Sequence, residues 1–110
     1  MKIEKKSNYI LISSDEKTFE EFYNSFQKEI KNIENEHIIV KISDKINSNT
    51  KEISLFLNYA EIKRENGSSF IIIEPNVDAD DFPETFNIVP TLQEAKDVLE
   101  MEEIERELGF

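Results

Sequence analysis

Short runs of apolar residues recur along the chain and predict the strands of a sheet. Residues 9–12, residues 37–42 and Phe70–Ile73 are almost wholly apolar, which is typical of strands buried on both faces. Asn87–Val89 predicts a shorter strand. Residues 3–6 precede the first run across a polar turn, and we expect them to form its antiparallel hairpin partner at the sheet edge.

Between these runs, apolar residues spaced three and four apart predict three helices. The first follows a capping box of Thr18 and Glu21, and the second is capped by Asn49 or Thr50 and ends at Gly67. Thr91 and Glu94 form a capping box for the last helix. Residues 75–86 hold prolines and acids and predict an ordered surface loop or one irregular turn.

The resulting element order is β-β-α-β-α-β-β-α. Alternating strands and helices indicate an α/β fold with a mostly parallel sheet of four to five strands, right-handed crossovers and helices packed against the sheet. We expect one domain over residues 1–100, followed by an acidic C-terminal helical tail over residues 101–110.

The helix after Thr50 has two apolar stripes. Its first stripe is suited to cover the sheet and consists of Ile53, Phe56, Leu57 and Ala60. The second lies roughly opposite and consists of Leu55, Tyr59 and Ile62. This second stripe either meets a neighbouring helix of the same domain or is open to a partner.

The last helix changes its apolar face partway. Its first half places Leu92, Ala95, Val98 and Leu99 on one side, whereas Met101, Ile104 and Leu108 fall on roughly the opposite side. Two arrangements satisfy this pattern. Either the chain bends near Glu100 and folds back, or the tail offers an apolar seam, flanked by glutamates, to another protein.

Charge narrows the class of partner. The net charge is −11, and residues 74–110 carry 12 acidic and 2 basic side chains, so this last third holds −10. Such a surface repels phosphate backbones and anionic lipids. We therefore expect neither nucleic acid nor membrane as a partner, and a protein with a basic surface is compatible with the charge. The chain has no Cys, no signal-peptide core and no apolar run long enough to cross a bilayer, which favours the cytoplasm.

Candidate chemistry is sparse. One His, no Cys and two Gly rule out most catalytic constellations and a glycine-rich phosphate loop, so we expect a protein that is not an enzyme and has no cofactor. His37 is predicted to be a solvent-facing or core-edge histidine. We expect no metal site, with Asp78, Asp80 and Asp81 as weak candidates because the loop lacks the glycine and the bidentate glutamate of a calcium loop.

The order of elements resembles that of STAS domains, the anti-sigma-factor antagonists. The resemblance covers about residues 1–100 and includes the strand 37–42 with its polar loop and following helix, the strand Phe70–Ile73, and residues 90–95 opening the last helix. It implies a regulatory module that binds an anti-sigma kinase through the loop and helix start after the second buried strand. The family carries a phosphorylated Ser or Thr there, in an Asp-Ser-Ser-Gly motif. Here Thr50 falls at that position, with Ser48 as a second candidate, while the Asp and Gly are replaced.

The chain is also similar to short bacterial STAS-like chains that bear the name ribonuclease Z. That activity needs several His ligands for zinc, which a single His cannot supply. Our leading hypothesis is therefore a STAS-like protein-binding module. The alternatives are a homodimer or other structural homo-oligomer joined through the C-terminal helix and, last, an accessory of an RNA-processing hydrolase or a cation-dependent enzyme. The candidate partner-binding residues are Asn49, Thr50, Leu55, Tyr59, Ile62, Met101, Ile104 and Leu108.

Overall fold

Five strands form one mixed sheet whose spatial order follows the chain, β1-β2-β3-β4-β5. A computed structural model describes residues 1–33 and 35–109. The strands are β1 (Lys2–Lys5), β2 (Ile10–Ser13), β3 (Ile38–Lys41), β4 (Phe70–Ile73) and β5 (Asn87–Val89). The helices are α1 (Phe19–Glu29), α2 (Thr50–Ile53), α3 (Leu57–Glu65) and α4 (Leu92–Glu107), with 3₁₀ turns at Ile30–Ile33, Ser54–Phe56 and Ala79–Asp81.

The pairing of the strands confirms the expected α/β class. β1 and β2 form an antiparallel hairpin in which Ile3 lies opposite Ile12, and each later strand runs parallel to the one before it. β1 is an edge strand, as predicted, and it is mostly charged. Charged residues on an edge discourage unwanted pairing with other strands.

Two apolar layers cover the two faces of the sheet. On one face, Phe22 and Phe26 of α1 and Ile53 and Phe56 of the second helical segment pack on Ile12, Ile38, Val40 and Ile72. On the other face, Ala95 and Leu99 of α4 pack on Tyr9, Leu11, Ile39, Ile71 and Ile73. The three central strands, β2 to β4, are therefore buried on both sides, which explains their almost continuous apolar sequence.

The predicted helix after Thr50 is interrupted. Asn49 is its cap, and Asn49 and Glu52 form a complete capping box. The Ser54 hydroxyl then donates to the Thr50 carbonyl at 2.7 Å, and a 3₁₀ turn separates α2 from α3. A serine hydroxyl that bonds the carbonyl four residues earlier perturbs the helical ladder, which accounts for the break.

Lys63 is the one charged residue of α3 whose side chain is buried. Its Nζ donates to the carbonyls of Ile33 and Glu36 at 2.9 and 2.8 Å, where the chain leaves the 3₁₀ turn after α1. The cation thus satisfies backbone acceptors at a helix end, where the dipole favours positive charge. Lys63 ties α3 to the stretch of chain that follows α1.

We predict that Lys63→Met lowers the free energy of unfolding by about 2 kcal/mol, because the two carbonyls would remain desolvated without a donor. Urea unfolding monitored by circular dichroism measures the change. Lys51→Met, the same substitution at an exposed position of α2, serves as the control and should alter stability by less than about 0.5 kcal/mol. Equal effects of the two substitutions would contradict this role of Lys63.

Candidate functional site

Helix α4 covers the second face of the sheet and runs back across it from β5. Thr91 caps its start by accepting a bond from the Glu94 amide, and Ala95 and Leu99 are buried against the strands. Its later contacts are with Asn87, His37 and Ser69, each at or just before the beginning of a strand. The helix is therefore antiparallel to the parallel strands.

The helix passes through Glu100 without a break and is longer than the strands it covers. Sixteen residues span about 24 Å, whereas a four-residue strand spans about 13 Å. The C-terminal half of α4 therefore reaches past the apolar centre of the sheet. The bend near Glu100 that the sequence allowed does not occur, and residues 101–107 continue the same helix.

Polar contacts hold this second half of α4 to the amino-terminal edge of the sheet. Asn87 Nδ2 donates to Glu102 Oε2 at 2.8 Å, and Arg106 Nη2 donates to Ser69 Oγ at 3.0 Å. His37 Nε2 lies 3.4 Å from Glu103 Oε1. The segment is thus fixed in place by its polar side.

The side of α4 turned away from the sheet carries the apolar seam. Met101, Ile104 and Leu108 are 59%, 46% and 65% exposed. Their spacing of three and four residues aligns them along about two helical turns. We call this side the α4 outer face, defined by the exposed residues Glu94, Asp97, Glu100, Met101, Ile104, Glu105, Glu107 and Leu108.

Both basic residues of α4 lie away from the seam, whereas five of its acids lie near it. At about 100° per residue, the five acids of the outer face lie within about 95° of the seam axis. The two basic residues of the helix lie farther round. Arg106 bonds Ser69, and Lys96 lines a depression beside the β1–β2 hairpin. Carboxylates therefore border the seam, and the neutral Gln93 is exposed on the same side of the helix.

His37 joins strand starts to α4 through both ring nitrogens. Its Nδ1 accepts a bond from the Ser69 amide at 2.9 Å, so the proton of the neutral ring resides on Nε2, which lies 3.4 Å from Glu103 Oε1. Partial burial lowers the pKa of His37 below its usual value, and the Arg106 and Lys63 cations act in the same direction, while Glu103 and Glu36 oppose them. The neutral ring is the form that fits the bond with Ser69, because only an unprotonated Nδ1 can accept it.

The second stripe of the middle helical segment is divided. Tyr59 packs edge-on against Phe26 of α1, with ring centroids 5.2 Å apart, and its hydroxyl accepts a bond from Gln27. Leu55 and Ile62 remain 49% and 47% exposed. A neighbouring helix thus covers the middle of the stripe and leaves its ends open.

The region that corresponds to the expected phosphorylation switch lies at the carboxyl edge of the sheet. Ser48 is buried and donates to Oε2 of Glu74 at 3.0 Å, and Glu74, itself 2% exposed, also accepts the Asn76 amide. Asn49 is used in the capping box. Thr50 is the first residue of α2 and is half-buried, so it is the more accessible of the two candidate hydroxyls.

The three aspartates of residues 78–81 belong to a 3₁₀ turn and its cap. Asp78 Oδ1 accepts the Asp80 amide at 2.9 Å and caps the 3₁₀ turn, in which Asp80 and Asp81 are exposed. Within the described residues no group of three or more His, Asp or Glu side chains is arranged to hold a metal ion.

The candidate residues fall into three separate places. Ser48, Asn49 and Thr50 lie at the carboxyl edge of the strands, Leu55, Tyr59 and Ile62 lie on the α1 side, and the α4 outer face lies on the opposite side. The contacts of Glu74 and Lys63 were missed by sequence reasoning. Lys63 continues the spacing of Phe56 and Ala60, and a lysine within an apolar stripe is the signal that could have found it.

Comparison of the sequence with protein-family models finds no match, and comparison with curated proteins finds none either. Among residues 1–33 and 35–109, no helix has the length and apolar character needed to cross a membrane.

The His37 contact predicts a pH dependence. Because the folded-state pKa of His37 is below 6.5, its contribution to stability is complete above pH 6.5 and is lost as pH falls toward the folded-state pKa. Protonation of Nδ1 removes the acceptor for the Ser69 amide. His37→Asn keeps an oxygen acceptor there and cannot titrate.

Unfolding free energies of the wild type and His37→Asn, compared from about pH 7.5 to about pH 5, isolate this effect from that of the many carboxylates. We expect the wild type to lose stability relative to the variant as pH falls. The histidine ring resonance in NMR should titrate with a midpoint below 6.5. A midpoint above 6.5, or a constant difference between the two proteins, would refute the assignment.

Proposed function

We propose that the protein is a non-enzymatic, STAS-like interaction module that acts in the cytoplasm, with a regulatory role, and binds another protein through the α4 outer face. The observation that carries the proposal is the seam of Met101, Ile104 and Leu108, exposed on a helix whose opposite side is fixed to the sheet. Isolated exposed apolar residues are ordinary, whereas three aligned on one helix face are typical of an interaction site.

Composition supports binding over catalysis. The chain has no Cys and a single His. Nδ1 of that His accepts a bond from the Ser69 amide, and Nε2 lies 3.4 Å from Glu103 Oε1. The buried pair of Ser48 and Glu74 likewise fits a structural contact that closes the carboxyl edge of the sheet.

The element order supports the STAS-like assignment. A β1–β2 hairpin is followed by parallel strands in chain order, and the helix after β3 starts at the capped sequence Asn49–Thr50. Thr50 is the phosphorylation site that we propose for this module. Negative charge is favoured near the N-terminus of a helix, and Thr50 is the first residue of α2.

Photo-crosslinking in the producing cells tests the proposed binding. A photoreactive amino acid is placed in turn at Ile104, Ile62 and Ile3, which are 46%, 47% and 41% exposed and therefore equally available. We expect a protein adduct at Ile104 in excess of that at Ile3. Ile3 lies on the edge hairpin opposite Ile12, which faces α1, so it is on the other side of the sheet from α4. The adduct should lose most of its intensity when Leu108→Asp is added.

Circular dichroism establishes that each labelled protein is folded. Adduct levels at Ile104 and Ile62 equal to the Ile3 background would refute the interaction module. An adduct at Ile62 alone would transfer binding to the exposed ends of the α2–α3 stripe and refute the role of α4.

A further inference from the structure

The acids that border the α4 seam restrict what can bind to it. Glu94, Asp97, Glu100, Glu105 and Glu107 are all exposed on the outer face, and the helix as a whole carries seven acids and two bases. Any occupant of the seam must bring its own surface within a few ångströms of these carboxylates. At that distance charge is only partly screened, because the Debye length is about 10 Å at 0.1 M salt.

A second copy of this chain is a poor occupant. A two-fold dimer places the same surface patch on both sides of the interface, so five carboxylates of one α4 would face five of the other. Like-charge juxtaposition disfavours such pairing. The same carboxylates repel nucleic acid and anionic lipid.

A basic partner would be attracted by the same carboxylates that repel a second copy, nucleic acid and anionic lipid. Lysine or arginine side chains on both sides of an apolar stripe would pair with the bordering acids while the stripe covers Met101, Ile104 and Leu108. The three- and four-residue spacing of the seam presents a ridge of the kind that packs side-on against another helix.

We infer that the α4 outer face binds a basic amphipathic helix of another protein. The inference rests on the proposed function and names the chemistry of its partner. The apolar seam supplies contact area, and the carboxylates select cationic helices and accelerate their association. Because the contacts of Glu102, Glu103 and Arg106 hold α4 in place, little of the binding surface has to be ordered on association.

Three synthetic helices with one shared apolar stripe and polar faces of lysine, glutamine or glutamate test the inference by fluorescence anisotropy. We expect the lysine peptide to bind at least about tenfold more tightly than the glutamine peptide, and to weaken at least about tenfold between about 50 and about 300 mM NaCl. Ile104→Asp should weaken binding of the lysine peptide by at least about tenfold.

Charge reversal separates the local surface from the total charge. Glu100→Lys with Glu107→Lys alters the borders of the seam, whereas Glu20→Lys with Glu61→Lys makes the same change in net charge at exposed positions of α1 and α3. We expect the first pair to weaken lysine-peptide binding at least about tenfold and the second pair by no more than about twofold. Equal losses in the two pairs would reduce the interaction to non-specific charge and overturn the inference.

Two other results would also overturn it. Equal binding of the glutamine and lysine peptides would show that the seam does not select cations. A concentration-dependent dimer in sedimentation that Ile104→Asp abolishes would assign the seam to a second copy. In either case an adduct at Ile104 in cells with a protein other than this chain would still stand as evidence for the proposed function, so the two failures are distinguishable.

Discussion

Burial of the central strands on both faces is the constraint on which the rest of the structure depends. Ile12, Ile38 and Ile72 face α1 and the α2–α3 segment, while Leu11, Ile39 and Ile71 face the other way. A sheet of this kind is stable only when both faces are covered. One face is covered by α1 and the α2–α3 segment together, and the other face depends on α4. The position of α4 is therefore a consequence of the apolar sequence of the strands.

Polar groups complete the edges where the apolar layers end. Lys63 supplies donors to two backbone carbonyls that follow α1, and Ser48 with Glu74 closes the carboxyl edge of the strands. His37 and Arg106 do the same at the amino-terminal edge, under the second half of α4. Each of these groups is partnered, as buried polar groups must be for the fold to be stable. These polar contacts fix the positions of helix ends, which apolar packing alone does not determine.

Much of this arrangement could be predicted from local pattern. The apolar runs identified the buried strands, and Thr18 and Thr91 identified helix starts, because both signals depend on neighbours in sequence. The break at Ser54 depends on a hydroxyl that competes for a carbonyl, and the division of the second stripe depends on where Tyr59 meets Phe26. The course of α4 beyond Glu100 brings Glu102, Glu103 and Arg106 to strand starts distant in sequence. Such contacts are decided by tertiary structure.

The sequence of α4 also conflicts with local preferences of helices. Its last two turns carry Glu102, Glu103, Glu105 and Glu107, although acids near a helix C-terminus are unfavourable to the dipole. Glu103 and Glu107 are a like-charge pair four residues apart, which destabilises a helix further. Exposed apolar residues accompany them on the same helix. Of these acids, Glu105 and Glu107 lie on the α4 outer face beside the exposed apolar residues. Local rules are most often broken where function requires it, so this combination on one exposed face favours a binding role for that face.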